Sequence, residues 1–125
     1  MKRFLFSGLV LLFAATPAFA TGGFDCRTTD GSDIMMSGTI GRVIGAPLVA
    51  AHLQVDGRMI GTNDPEPQIA IARSWIDQHE IKVDLADAQA ERFAAELRVR
   101  LTRRGDGNGT LIRDGRTHPV YCTVE

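Results

Sequence analysis

The stretch Glu91-Arg92-Phe93-Ala94-Ala95-Glu96-Leu97-Arg98-Val99-Arg100-Leu101-Thr102-Arg103 decides the fold class of this chain. Its composition favours a helix, because Ala, Glu, Leu and Arg are good helix formers. Ala90, Phe93, Ala94, Leu97 and Leu101 also fit one helical face. Its order favours a strand. Phe93, Ala95, Leu97, Val99 and Leu101 alternate strictly with Arg92, Ala94, Glu96, Arg98 and Arg100, the two-residue period of a half-buried strand. The run ends at Gly105-Asp106-Gly107-Asn108-Gly109, a segment suited to a hairpin turn. The expectation is a long strand over 91–103, with a short helix over 87–94 as the alternative.

Outward from this stretch, turn signals recur at short intervals: Thr29-Asp30-Gly31, Gly45-Ala46-Pro47, Asp56-Gly57, Asn63-Asp64-Pro65-Glu66-Pro67 and Asp114-Gly115. Gly supplies positive φ and Pro a fixed φ at such places. The segments between them alternate. Leu48 to Val55 places Val49, Ala51, Leu53 and Val55 opposite His52 and Gln54. His79 to Leu85 places Ile81, Val83 and Leu85 opposite Glu80, Lys82 and Asp84. Phe24 and Cys26 share one side of Phe24 to Thr28, and Val120, Cys122 and Val124 one side of Arg116 to Val124. Pro119 lacks an N–H and argues for a late start or an edge position in that last strand. Ile69 to Ile76 is an apolar run interrupted by Arg73 and Ser74.

Lys2 and Arg3 precede an apolar run, Phe4 to Ala15, and then Thr16-Pro17 and the small-residue triplet Ala18-Phe19-Ala20. This is the pattern of a secretory signal peptide cleaved after Ala20. The run is too short for a transmembrane helix, so no stable membrane insertion is expected after cleavage. The short Ala-rich signal is of bacterial type, which points to the periplasm or the outside. The expected organisation is therefore 1–20 as a cleaved signal and 21–125 as a single β domain. Removing the signal leaves 12 basic and 15 acidic residues, a net charge of -3. That balance gives no reason to expect nucleic acid.

Cys26 and Cys122 are the only cysteines. An even count in an exported chain reads as a disulfide. A bridge requires the two Cα atoms to lie within roughly 7 Å, which makes the first and last strands neighbours. The fold class expected is all-β: a single small antiparallel sandwich or barrel of about seven or eight strands, its N- and C-terminal strands joined by Cys26–Cys122.

Few residue patterns carry chemistry. His52, His79 and His118 have no local ligand spacing, and no HExxH is present. Asp106-Gly107-Asn108-Gly109 opens like a calcium loop, but Leu111 and Thr117 stand where the loop needs Gly and Glu. A hairpin turn accounts for those residues better. Ser32, Ser37 and Ser74 lie in no nucleophile elbow. Met35-Met36, with Met59 and His52, reads as core packing rather than a copper site, since adjacent strand residues point to opposite faces. The expectation is a non-enzymatic protein with no metal and no cofactor.

Charge is distributed unevenly. Residues 92–116 hold seven Arg against three acids, whereas residues 21–91 hold five basic and eleven acidic residues. On a long strand Arg92, Arg98, Arg100 and Arg104 share one outward face, and a row of Arg can bind carboxylates or other anions bidentately. The bland alternative is a solubilising face paired with acidic cross-strand neighbours. The first functional expectation is an exported binding protein using these four Arg on an unknown protein or anionic ligand.

The layout of signal peptide, early Phe24-Asp25-Cys26, β-rich middle and late Val120-Tyr121-Cys122 resembles the small periplasmic lysozyme inhibitors. Those are compact β-barrels that also join an early and a late Cys. The resemblance covers the two ends of the chain. Ser37-Gly38-Thr39-Ile40-Gly41 has the first two residues of their inhibitory Ser-Gly-x-x-Tyr motif but no Tyr, so no functional residue carries over. The resemblance implies a second reading, inhibition of a secreted hydrolase. A small hydrolase or metal-binding protein is the third.

Overall fold

The computed structural model describes residues 22–41 and 48–125. The expected signal peptide and the 45–47 turn lie outside the described residues. Among the described residues nine strands form: β1 (Gly22–Thr28), β2 (Ile34–Ile40), β3 (Leu48–Val55), β4 (Arg58–Gly61), β5 (Ile69–Ile76), β6 (Glu80–Asp87), β7 (Phe93–Leu101), β8 (Asp106–Arg113) and β9 (Arg116–Val124). They make one antiparallel sheet in the order β4-β3-β2-β1-β9-β8-β7-β6-β5. The all-β expectation holds, and the disputed stretch is a strand. No helix forms over 87–94, where β6 ends and a turn leads to β7.

The order has a simple logic. Each strand pairs with the next in sequence, except that β4 and β5, the two outer strands, do not pair with each other. In their place β1 pairs with β9. The sheet curls into a nearly closed barrel whose seam lies between β4 and β5, spanned by the Pro-rich loop 62–68. The alternating apolar positions point inward. Cys26, Met36, Ile81, Val83, Leu85 and Leu97 are fully buried there, as a two-residue side-chain period requires.

Cys26 lies directly opposite Cys122 in the β1–β9 ladder. Their disulfide spans a Cα–Cα distance of 4.1 Å and 96 positions of sequence, and both residues are 0% exposed. The bridge is thus a rung of the core, joining the ladder that closes the sheet.

The strand count exceeds the seven or eight expected, partly because of residues 106–109. The turn ends earlier, at residues 102–105, and Asp106 already begins β8. A tight local network makes this turn: Thr102 Oγ1 donates to the Asp106 carboxylate, Tyr121 OH donates to the same carboxylate at 3.0 Å, and Gly105 N–H donates to Thr102 O at 3.0 Å. Asp106 therefore titrates below the usual carboxylate range, chiefly through the Thr102 bond and then the Tyr121 bond. Gly107 and Gly109 serve strand packing instead of turn geometry. A Cβ on Gly107 would fall 1.8 Å from the Arg100 carbonyl oxygen, and one on Gly109 2.0 Å from that of Arg98. Only glycine lets β8 approach β7 so closely.

Replacing both cysteines, Cys26→Ala with Cys122→Ala, should lower unfolding free energy by about 4–5 kcal/mol, the loop-closure value for a bridge of this span. Urea titration of oxidised and double-Ala protein checks it. A loss below about 1 kcal/mol would mean that the β1–β9 ladder closes the sheet without covalent help.

Candidate functional site

Two β-bulges build the most distinctive surface of the molecule. Ile71 faces Leu85 across the β5–β6 ladder, but Arg73 faces Asp84, so Ala72 is an extra residue. Without it, the phase of Ile69 and Ile71 would drive Arg73 and Trp75 into the core. With it, Ser74 and Ile76 point inward and Arg73 and Trp75 point out. On β7, Ala95 faces Leu85 while Phe93 faces Ala86, so Ala94 is the extra residue. Phe93, which the alternation assigned to the inner face, is turned outward and left 44% exposed. Bulges re-aim side chains in this way.

On the outer surface these residues form a small second layer. Asp84 belongs to the outer face of β6 yet is only 3% exposed, because two arginines lie over it. Arg73 donates to Asp84 Oδ2 through Nε at 2.9 Å and approaches it through Nη2 at 2.8 Å. Arg98 donates to Oδ1 through Nη1 at 2.8 Å and to Oδ2 through Nη2 at 3.2 Å. Arg98 Nη1 also donates to Leu97 O at 2.8 Å. The Arg73 guanidinium stacks over the Phe93 ring, 5.4 Å from its centroid, a cation–π contact. Burial pushes the Asp84 carboxyl upward, but the hydrogen bonds and charges of Arg98 and Arg73 outweigh it and hold it below the usual range. Asp84 in turn raises the Arg98 guanidinium.

Trp75 is 58% exposed but tethered. Its Nε1–H donates to Asp77 Oδ2 at 3.0 Å, and Asp77 Oδ1 accepts from the N–H groups of His79 at 2.7 Å and Glu80 at 2.8 Å. Those backbone bonds, with the Trp75 bond, lower the Asp77 carboxyl. The register aligns Trp75, Lys82, Arg98 and Thr110 in one cross-strand row on the outer face of β5–β8. A shallow hollow of about 440 Å³ opens beside the row, lined by Arg73, Ser74, Trp75, Lys82, Asp84 and Arg98. Lys82 and Arg98 also line a second hollow of about 230 Å³, together with Glu80, Arg100, Asn108 and Thr110.

The four arginines singled out in the sequence separate. Arg98 and Arg100 share the outer face of β7. Arg92 lies in the bend before β7 and Arg104 in the turn after it. The strand is shorter than 91–103 at both ends, and the Ala94 bulge breaks the phase that would have aligned Arg92. Arg98 is also committed to Asp84, and Arg100 stands opposite Glu80, so part of the Arg row is the cross-strand pairing of the bland alternative. Sequence reasoning missed Arg73, Trp75, Lys82 and Asp84 as a group. The available signal was the polar pair Arg73-Ser74 inside an apolar strand, which marks a bulge.

The histidines do not converge. His52 is on β3, His79 in the 77–79 turn, and His118 Nδ1 lies 2.8 Å from Asp30 Oδ2. The Asp30 carboxyl is lowered to about 2 by hydrogen bonds from Ser32 and His118. Among the described residues no group of three or more His, Cys, Asp and Glu is placed to hold a metal ion. Compared with family models, curated proteins and solved structures, the chain matches none.

Asp84→Asn should cost about 1–3 kcal/mol at pH 7, the range for hydrogen bonds to a charged group. Because the folded carboxyl is held low, its stabilisation is present above the unfolded value near pH 4 and is lost as pH falls through the folded value. The wild-type advantage over Asp84→Asn in urea titrations should therefore shrink between pH 5 and strongly acidic solution. A constant advantage would show that the carboxylate charge is irrelevant.

Proposed function

We propose that this protein is an exported, non-enzymatic binding protein that holds an anionic ligand or partner against the outer face of β5–β8. The observation that carries this reading is the pair of contiguous hollows walled by Arg73, Lys82, Arg98 and Arg100 beside a tethered, exposed indole. Asp84 is enclosed within the layer, so the first hollow presents the cations and the ring, and Glu80 joins the cations at the second. The support is physical: Arg73 and Arg98, already held in place by Asp84, lose little freedom when they bind, and pre-organisation of this kind favours affinity. Export is part of the same proposal. A buried disulfide is compatible with an oxidising compartment, and the signal-peptide pattern supplies the route.

Arg98 supports Asp84, so Lys82 and Arg100 are the informative positions. Lys82→Glu with Arg100→Glu should weaken retention on a carboxylate-bearing matrix by roughly tenfold or more, the loss of one or two charge-assisted contacts. Arg58→Glu with Arg116→Glu makes the same change in net charge on exposed residues elsewhere and should leave retention near wild type. Equal losses in the two variants would reduce the effect to bulk charge. Intact mass of the protein recovered after expression should place the mature N-terminus at Thr21; retention of residues 1–20 would refute cleavage.

A further inference from the structure

We infer that the groove across β5–β8 takes an acidic oligosaccharide, one sugar ring stacking on Trp75 and the carboxylates of following units meeting Lys82 and Arg98. This rests on the anion-binding reading above and adds a ligand class and an orientation.

The row Trp75–Lys82–Arg98–Thr110 runs perpendicular to the strands. Neighbouring strands are about 4.8 Å apart, so the groups are presented at regular, closely spaced steps to a chain molecule lying across the sheet. At one end stands an aromatic ring whose only polar hydrogen is already donated to Asp77. What remains of Trp75 is an apolar face, which suits the C–H surface of a sugar ring. Next come two cations of different kinds. Lys82 is a mobile point charge with its side chain 51% exposed. Arg98 is a fixed guanidinium, 41% exposed and held by Asp84 and Leu97 O. Beside them Asn108 and Thr110 line the second hollow and offer neutral hydrogen-bonding groups to sugar hydroxyls.

Other anionic polymers fit less well. Glu80 stands 3.6 Å from Lys82 and Glu96 faces Asp84 across the β6–β7 ladder. These acids repel any polyanion, so the spacing of charges decides. A polyuronate carries one carboxylate on each compact ring, a shorter repeat than the sugar-phosphate unit of a nucleic-acid strand and nearer the strand-to-strand step that separates Lys82 from Arg98. A protein partner's hot-spot side chain needs an enclosed pocket, whereas both hollows here are shallow and open.

Trp75 is the only tryptophan in the chain, so its fluorescence reports directly on the groove. Titrating the mature protein with a short oligogalacturonate should give a saturable change in Trp75 emission. The fully methyl-esterified oligomer should give none. By calorimetry Lys82→Glu and Trp75→Ala should each weaken binding about tenfold. In the unmutated protein the amide resonances that shift should cluster at residues 73–75, 82, 98 and 110, a readout that survives if a variant misfolds. Binding that ignores esterification or both substitutions, or shifts confined elsewhere, overturns the inference. Polyglutamate and oligothymidylate complete the series. If either binds through Lys82 while oligogalacturonate does not, the glycan assignment falls and the anion-binding face stands. If none of the three binds, both fall.

Discussion

The ladder between β1 and β9 is the constraint on which the rest of the molecule depends. Two meanders, β1–β4 and β5–β9, each have only local pairings of their own. Neither encloses a core alone. When β1 pairs with β9, the two halves become one sheet long enough to curl, and the inward side chains of both meet. The disulfide stands in the middle of that ladder, between Asp25–Thr123 and Arg27–Tyr121. It therefore ties the chain at the centre of the one ladder that joins the two halves.

A curled sheet sorts its residues by parity, and the candidate site arises where parity is broken. Ala72 and Ala94 are single extra residues on β5 and β7. They send Arg73, Trp75 and Phe93 to the outside, all within reach of Asp84 or of one another. A third bulge, at Val49 on β3, leaves that residue 50% exposed by the same means. The barrel interior remains apolar, and the departures from alternation supply the chemistry on its surface.

This explains what was legible in the sequence. Where parity is unbroken, as in Ile81–Leu85 and Ala95–Leu101, alternation identified the strands and their inner faces correctly. Where one residue is inserted, the same reasoning misassigned Phe93 and saw Arg73 only as an interruption. The cysteine pairing followed from the even count and the expectation of export. Strand β8 was hidden because glycines that serve close approach to β7 look identical, in one dimension, to glycines that serve a turn. The charge asymmetry along the chain also changes meaning in space. The arginines of β7 lie beside the acids of β6, so Arg98 bonds Asp84 and Arg100 stands opposite Glu80. The cationic surface that remains is set by pairing across strands, not by runs along them.

The seam between β4 and β5 has a consequence for connectivity. Every ladder but one joins strands that follow each other in sequence; the exception is β1–β9, whose ends meet where Glu125 N–H donates to Gly23 O at 2.9 Å. A circular permutant opened in loop 62–68, with a short linker from the end of β9 to the start of β1, would retain all eight ladders. Its strand order would become an uninterrupted meander from β5 round to β4, with every pairing local and the one entropically expensive closure removed. The cysteines would then sit in a single hairpin. Their bond would close a short loop instead of nearly the whole domain, and would lose much of its leverage over the unfolded chain. The importance of that disulfide thus lies in the order in which the strands are connected as much as in the barrel it crosses.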